Sequence, residues 1–153
     1  MKLRAREVRD CGPLDLEETV PVETMFSALP DRPSLLAPIH LNVHAEAVDD
    51  EILALIKAET RVALECSRCL EPFERPLKAT VTLHAPFEVE EVEVGEQARQ
   101  SLLLALPLKP LCRPDCKGLC DRCGKNRNSG PCGCAKEPAE SPFNKLKDLK
   151  INK

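Results

Sequence analysis

The sequence predicts an α+β fold rich in β-strands: an antiparallel sheet with one main helix, followed by a C-terminal cysteine-rich segment of the zinc-ribbon type. Three observations lead to this prediction. Apolar and polar residues alternate over three stretches, a fourth stretch consists mainly of helix-forming residues, and six cysteines lie within residues 112–134. With 153 residues, of which 42% are hydrophobic, the chain is long enough for one such domain with an appended segment.

The first 37 residues are rich in proline and only weakly patterned. Leu3, Ala5 and Val8 indicate a short opening strand, and LPDRPSLLAP (29–38) is expected to form a loop or an irregular segment across the core. The opening MKLRAREVRDCG has the positive charge of a signal peptide, but no apolar run follows it, as one would in a signal peptide. Since no stretch approaches the roughly 18 consecutive apolar residues of a membrane helix, we expect a cytoplasmic protein.

Three stretches alternate with the period of two that is typical of half-buried strands. The first is IHLNVHAEA (39–47), which a turn at residues 49–50 joins to the second, EILALIKAETRVALEC (51–66). The third is KATVTLHAPFEV (78–89). Because hairpin-length links join them, the sheet should be antiparallel. The residues of the third stretch expected to face inward are Val81, Leu83, Ala85, Phe87 and Val89.

A helix is predicted at about residues 96–106, EQARQSLLLAL, because this stretch consists of strong helix formers and Pro107 ends it. A second, short helix is expected at the C-terminal end. There Ser141 suits the N-cap and Pro142 the first helical position. One face of this terminal helix would carry Phe143, Leu146 and Leu149.

The chain is expected to divide into a β-rich domain (1–111), a cysteine-rich zinc segment (112–134) and a linker with the short terminal helix (135–153). Charge is distributed unevenly. Residues 1–108 carry 11 Lys/Arg and 20 Asp/Glu, whereas residues 109–153 carry 11 Lys/Arg and 5 Asp/Glu. A basic end on a mildly acidic protein can contact phosphate groups, although a solvated surface has the same composition.

One complete metal-binding pattern is present in CRPDCKGLCDRCGKNRNSGPCGC. Cys120 and Cys123 form a C-x2-C pair followed by Gly124, and Cys132 and Cys134 form a C-x-C pair. Two thiolates fit a tight turn at such spacings, and four thiolates suit a structural zinc ion. The alternative is a group of reduced thiols that holds no metal.

Cys112 and Cys116 remain, and a C-x3-C pair cannot complete a site alone. The chain offers one further pair, Cys66 and Cys69, at the end of the long predicted strand. We therefore predict a second four-cysteine zinc site, which leaves Cys11 unused. The alternatives are a redox-active Cys66/Cys69 pair and thiols without metal. Zinc is preferred over an iron–sulfur cluster, which also uses four cysteines, because knuckle-like spacings with glycine suit zinc.

Four motifs follow one another: LECSRCLEPF, the helix ending LLLALPLKPLC, the run CKGLCDRCGKNRN…CGC and the terminal SPFNKLKDLK. In these motifs the chain resembles the YceD family, the bacterial large ribosomal RNA subunit accumulation proteins. The resemblance covers most of residues 38–153 and is weak before them. Asp121 stands where the family usually has proline, and the linker EVEEVEVGEQ is often longer and more acidic in the family; neither departure touches a proposed ligand.

This resemblance implies a non-enzymatic cytoplasmic factor needed for the synthesis, processing or stability of large-subunit (23S) ribosomal RNA. It implies no catalytic residues. The expected partners are that RNA or its precursor particle, together with ribosomal or assembly proteins. Neither a membrane nor a small-molecule substrate is expected.

The basic residues beside the second C-x2-C pair are compatible with this role. From Lys109 to Lys136 there are seven basic and two acidic residues. A rigid loop can present guanidinium and amide groups to phosphates and base edges, although the loop can also be merely solvated. Base stacking is disfavoured because the chain has four Phe and no Trp or Tyr. The candidate RNA-binding residues are Arg122, Lys125, Asn126, Arg127 and Asn128.

Two other classes of function remain open. His44 and Glu46, followed by Cys66 and Cys69, imitate the H-x-E…P-C-x-x-C signature of zinc deaminases. Glu65 replaces the proline of that signature, and His44 lies on the polar phase of a strand rather than at the start of a helix. The other class is a zinc-stabilised protein–protein adaptor, in which the acidic sheet domain and the basic tail each dock a partner.

Overall fold

The computed structural model describes residues 1–26 and 34–134. Its strands are β1 (Leu3–Arg4), β2 (Leu14–Val20), β3 (Ile39–Val48), β4 (Glu51–Glu65), β5 (Pro72–Pro86) and β6 (Glu91–Val92), and its helices are α1 (Ala5–Cys11), α2 (Val22–Met25) and α3 (Val94–Ala105). One sheet has the order β2-β3-β4-β5, β1 pairs with β6, and all neighbours are antiparallel. The predicted β-rich α+β class is confirmed. The predicted terminal helix and the first half of the predicted loop, residues 29–33, lie outside the described residues.

Side chains that alternate in the sequence alternate between the two faces of the sheet. In β3 the odd-numbered residues from Ile39 to Ala45 are buried, and the even-numbered residues are half-buried or exposed. In β4 the buried residues are the even-numbered ones from Ile52 to Val62. Asp49 takes a φ of 53° in the two-residue connection, a conformation that aspartate tolerates better than most residues.

Helices cover one face of the sheet and complete an aliphatic core. Val8 of α1 is 0% exposed and Leu102 of α3 is 1% exposed, and both belong to the buried cluster that includes Ile56 of β4. Burying a side chain of this size contributes about 1.5–3 kcal/mol. Phe26 is the one fully buried aromatic residue in the described part of the chain. None of the helices described is long and apolar enough to span a membrane.

The N-terminal region differs from the prediction. The opening strand ends at Arg4, and Ala5 and Val8 lie in α1, where their spacing of three puts both on its buried face. Residues 14–20, for which no strand was predicted, form β2 and pair with β3 along their whole length. The alternation of Leu14, Leu16 and Val20 signals this strand, but the exposed Glu18 interrupts it at the edge of the sheet.

The third predicted strand is longer than expected and lies earlier in the chain. β5 begins at Pro72 rather than at residue 78 and ends at Pro86. The expected inward orientation is therefore wrong for Val89, which follows the strand and is 38% exposed. The early start makes β4 and β5 a hairpin of two 15-residue strands, and residues 66–71 form its connection.

Candidate metal centres

The tip of the β4–β5 hairpin meets the segment that follows α3. There the Sγ atoms of Cys66 and Cys116 lie 3.8 Å apart, and those of Cys69 and Cys112 lie 3.7 Å apart. All four sulfurs of this first group are within 4.8 Å of one another. A tetrahedral zinc ion with Zn–S bonds of about 2.3 Å has S···S edges of about 3.8 Å. The first group therefore has the size of an all-sulfur tetrahedral metal site.

A second group follows directly in the chain and consists of Cys120, Cys123, Cys132 and Cys134, whose sulfurs also lie within 4.8 Å of one another. The Sγ atoms of Cys120 and Cys132 are 3.4 Å apart. Three members of the first group are buried, whereas Cys123 of the second is exposed. The two groups contain the eight cysteines expected from the spacing, and each could hold a metal ion. Cys11 is exposed and belongs to neither.

Both C-x2-C pairs lie in the same kind of backbone turn. The N–H of Leu70 donates to the carbonyl of Cys66, and the N–H of Gly124 donates to the carbonyl of Cys120, each at 2.9 Å. The donor residue has a positive φ in both turns, 58° at Leu70 and 70° at Gly124. Glycine adopts this conformation without strain and leucine rarely does, so the surrounding structure holds Leu70 in place.

Backbone hydrogen bonds favour the thiolate form of one cysteine in each group, Cys66 and Cys120. A bond from the backbone of Cys112 lowers the pKa of the Cys66 thiol from 9.0 to about 6. Bonds from the backbones of Cys123 and Arg122 lower the pKa of Cys120 to about 7. Burial, by contrast, raises the pKa of Cys112 to about 12. Because a metal ion binds the thiolate and compensates its charge, this donor set suits a cation at the centre of each group.

The two groups are joined through the short spacer at residues 117–119. The N–H of Leu119 donates to the carbonyl of Arg68, in the turn of the first group, at 3.0 Å. The carbonyl of Gly118 accepts a hydrogen bond from the N–H of Arg127, in the loop of the second group, at 2.9 Å. The loop closed by the second group is therefore held against the turns of the first.

The five candidate RNA-binding residues fall into two sets. Three of them are exposed: Arg122, Lys125 and Arg127. Asn126 and Asn128 are half-buried, and their amides donate within the protein, to Glu71 at 2.7 Å and to the sulfur of Cys116 at 3.2 Å. The two asparagines thus hold the loop in place. Local sequence pattern does not reveal such partners, since they lie 55 and 12 positions away.

The deaminase-like constellation is not assembled. His44 pairs with Leu55 of β4, which precedes Cys66 by eleven residues, a separation of about 35 Å along a strand that rises about 3.3 Å per residue. The Nδ1 of His44 lies 2.7 Å from the carboxylate of Asp15. His44 and Glu46 are therefore remote from the sulfurs with which that signature would combine them.

Comparison with known proteins gives one family match and several relatives, each similar to part of this chain. Residues 83–150 match the family model described as "Large ribosomal RNA subunit accumulation protein YceD". An Arabidopsis thaliana protein, "Large ribosomal RNA subunit accumulation protein YCED homolog 1, chloroplastic", is 32% identical over 68 residues, which are 44% of this chain and 21% of the relative. An uncharacterized protein of Mycobacterium leprae is 31% identical over 105 residues, 58% of this chain and 48% of its own length.

A Zea mays protein with the same name as the Arabidopsis one is 38% identical over 53 residues, 34% of this chain and 18% of the relative. The chain thus spans between about a fifth and about half the length of these curated relatives. No solved structure matches the chain. The segment matched by the family model includes six of the eight grouped cysteines and excludes Cys66 and Cys69.

Proposed function

We propose that this chain is a non-enzymatic, cytoplasmic, zinc-stabilised factor that binds large-subunit (23S) ribosomal RNA or its precursor particle. The proposal starts from the match of residues 83–150, which confirms the resemblance to the YceD family. The description of that family names large ribosomal RNA subunit accumulation. The observation that carries the proposal is the exposed basic loop at residues 122–127, closed by the second cysteine group. Its role would be to support the synthesis, processing or stability of that RNA.

Zinc is the metal that we propose for both groups, one ion in each. Four thiolates in a tetrahedron, two of them in C-x2-C turns, are a typical structural zinc site. Apart from the bridge between Leu119 and Asn126, residues 112–134 contain no helix or strand. Structural zinc can supply about 10–16 kcal/mol of apparent folding energy in zinc-finger peptides, so the ions would take the place of an apolar core here.

The loop of the second group is suited to phosphate binding. Arg122, Lys125 and Arg127 are exposed within six residues, and arginine can bind a phosphate through two parallel hydrogen bonds. Residues 112–134 contain no aromatic side chain, so bases could not stack on this segment. Each zinc with four thiolates has a formal charge of −2, which offsets part of the positive field. Binding through phosphates would position the protein without reading sequence.

The salt dependence of RNA binding tests the proposal. A variant with Arg122→Gln, Lys125→Gln and Arg127→Gln can no longer neutralise up to three phosphates. The slope of log affinity against log salt should flatten by about 0.7–0.9 for each phosphate that is no longer neutralised. The binding partner is purified precursor RNA of the large subunit, and zinc content is measured in parallel because none of the three residues is a ligand.

The matched control removes the same charge from the sheet. Its exposed targets are Lys57, Arg61 and Lys78, each changed to Gln. This control should keep the wild-type slope. Equal slopes for both triple variants would refute RNA binding by the loop. In cells, the loop variant should lower the level of large-subunit RNA while that of the small subunit changes little.

A protein–protein adaptor is the second candidate function. Leu104 and Leu108, at and after the end of α3, are 87% and 101% exposed. Large apolar side chains so exposed are candidates for a protein contact. A complex with proteins alone that resists nuclease would favour the adaptor, whereas co-sedimentation with precursors of the large subunit would favour the RNA-binding factor.

A further inference from the structure

Asn128 belongs to the loop of the second group, but its side chain contacts a sulfur of the first. Its Nδ2 donates to the Sγ of Cys116 at 3.2 Å, and its Oδ1 accepts the N–H of Lys117 at 2.8 Å. A side chain carried by the loop of the second group thus donates a hydrogen bond to a sulfur of the first. Such a bond orients the sulfur that would bind the metal.

Asn128 is itself held in position from the first group. Its N–H donates to the Oδ1 of Asn126 at 2.9 Å, and the Nδ2 of Asn126 donates to the carboxylate of Glu71 at 2.7 Å. The carbonyl of Glu71 in turn accepts the N–H of Cys66 at 3.0 Å. The loop therefore contacts both cysteine pairs of the first group, Cys116 directly and Cys66 through Glu71.

The second group determines the shape of this loop. Residues 124–131 begin after Cys123 and end before Cys132, so two ligands of one ion would fix both ends. The N–H of Cys120 donates to the carbonyl of Lys125 at 2.9 Å, which closes the turn at the start of the loop. Without the gathered sulfurs, each loop residue regains conformational entropy and Asn128 is no longer presented to Cys116.

We propose that Asn128 is a positioning residue that couples the two sites, so that metal binding by either group strengthens metal binding by the other. Thermodynamic linkage requires the factor to be the same in both directions. Loss of a hydrogen-bonding partner of a metal ligand typically weakens metal binding about 10–100-fold. The inference rests on metal binding by both groups, as proposed above, and is independent of RNA binding.

Titration of the reduced, metal-free chain with Co²⁺ tests the role of Asn128, because the sulfur-to-cobalt charge-transfer absorption reports each thiolate site. Asn128→Ala should still bind two ions, with the first group weakened about 10–100-fold. Its charge-transfer band should move to longer wavelength, since Cys116 loses its hydrogen bond.

Asn128→Asp keeps the acceptor for Lys117 but lacks the donor for Cys116. Because its carboxylate is also repelled by the thiolates, this variant should weaken the first group at least as much as Asn128→Ala, and wild-type affinity would contradict the donor role of Asn128. Ser129→Ala, exposed in the same loop, should behave as wild type.

A double-variant cycle tests the coupling itself. In Cys66→Ser/Cys69→Ser the first group is disabled, and the Co²⁺ affinity of the second group should fall. Adding Asn128→Ala should make that fall much smaller. The same fall with and without Asn128 would overturn the inference. A wild-type chain that binds fewer than two ions would instead overturn the metal proposal on which it rests, so the two failures are distinguishable.

Discussion

The Cβ position that Gly118 lacks lies 3.0 Å from the backbone carbonyl oxygen of Arg68. Gly118 also has a φ of 71°, in the left-handed region. At this point the spacer at residues 117–119 passes the Cys66–Leu70 turn with room for backbone only. A side chain here would meet a carbonyl that is already fixed by the hydrogen bond from Leu119.

Alanine at three glycines should separate crowding from backbone strain. Gly118→Ala should lower the unfolding free energy the most, because the strain of a left-handed alanine, about 1–2 kcal/mol, adds to the contact with Arg68. Gly124→Ala should show the effect of strain alone, since its φ is 70° and nothing lies within 4 Å of its Cβ position. Gly133→Ala, with free space and no left-handed φ, should match wild type. Thermal unfolding of metal-loaded protein gives the order, and equal losses for Gly118 and Gly124 would mean that crowding is absent.

Removing one ligand should remove one ion. Cys66→Ser should bind one ion and expose the amides at the tip of the β4–β5 hairpin to hydrogen exchange. Cys120→Ser should also bind one ion, but its faster exchange should lie mainly in residues 117–134. Metal analysis together with hydrogen exchange decides this. Cys11→Ser is the control, since Cys11 is exposed and outside both groups, and it should retain two ions. Identical exchange patterns in the two ligand variants would contradict the division into two sites.

Neighbouring leucines of α3 should differ sharply in their contribution to stability. Leu102 is 1% exposed in the core, and Leu102→Ala should lower the unfolding free energy by about 2–5 kcal/mol. Leu104 is 87% exposed, and Leu104→Ala should stay within about 0.5 kcal/mol of wild type. Denaturant unfolding measures both. A loss at Leu104 as large as that at Leu102 would place the helix in a different rotation against the sheet.

Acid should remove the stabilisation that comes from the first turn of α3. Hydrogen bonds from Arg99 and then Gln100 lower the pKa of Glu96 to about 2, below the unfolded value of about 4.3. The contribution of Glu96 is therefore present above about pH 4 and is lost as the pH falls towards 2. Because the Glu96 side chain is 46% exposed, the ion pair is worth only about 0.2–1 kcal/mol. The unfolding free energies of wild type and Glu96→Gln should differ at neutral pH and converge near pH 2; a constant difference would argue against the ion pair.

Much of the fold was predictable because burial alternates along β3 from Ile39 to Ala45 and along β4 from Ile52 to Val62. The start of β5 was not, because Pro72 and Pro76 indicate a loop. Both prolines are tolerated since β5 is an edge strand, where a missing N–H breaks no pairing. The strand of residues 14–20 was missed because Glu18 breaks its apolar alternation. Glu18 pairs with Leu41 and so lies on the core-facing side, but β2 is the edge strand opposite β5 and its Glu18 side chain is exposed to water.

The cysteine groups could be predicted because ligand number and spacing constrain them without any knowledge of the sheet. The contacts that join the groups could not. Asn126 and Asn128 look like solvent-facing residues of a polar loop, and only the folded chain shows Glu71 and Cys116 beside them. Side-chain amides have no periodic pattern, so their partners depend on tertiary placement.

The two sites also differ in how much chain they close. Cys66 and Cys116 are 50 positions apart, whereas Cys120 and Cys132 are separated by 12. Closing the shorter loop costs about 1 kcal/mol less chain entropy. The second group can therefore gather its sulfurs on a chain whose sheet has not formed, while the first must await the hairpin and α3. During synthesis Cys66 emerges before Cys134, yet under the proposed metal binding the later group would be able to capture its ion before the sheet has formed.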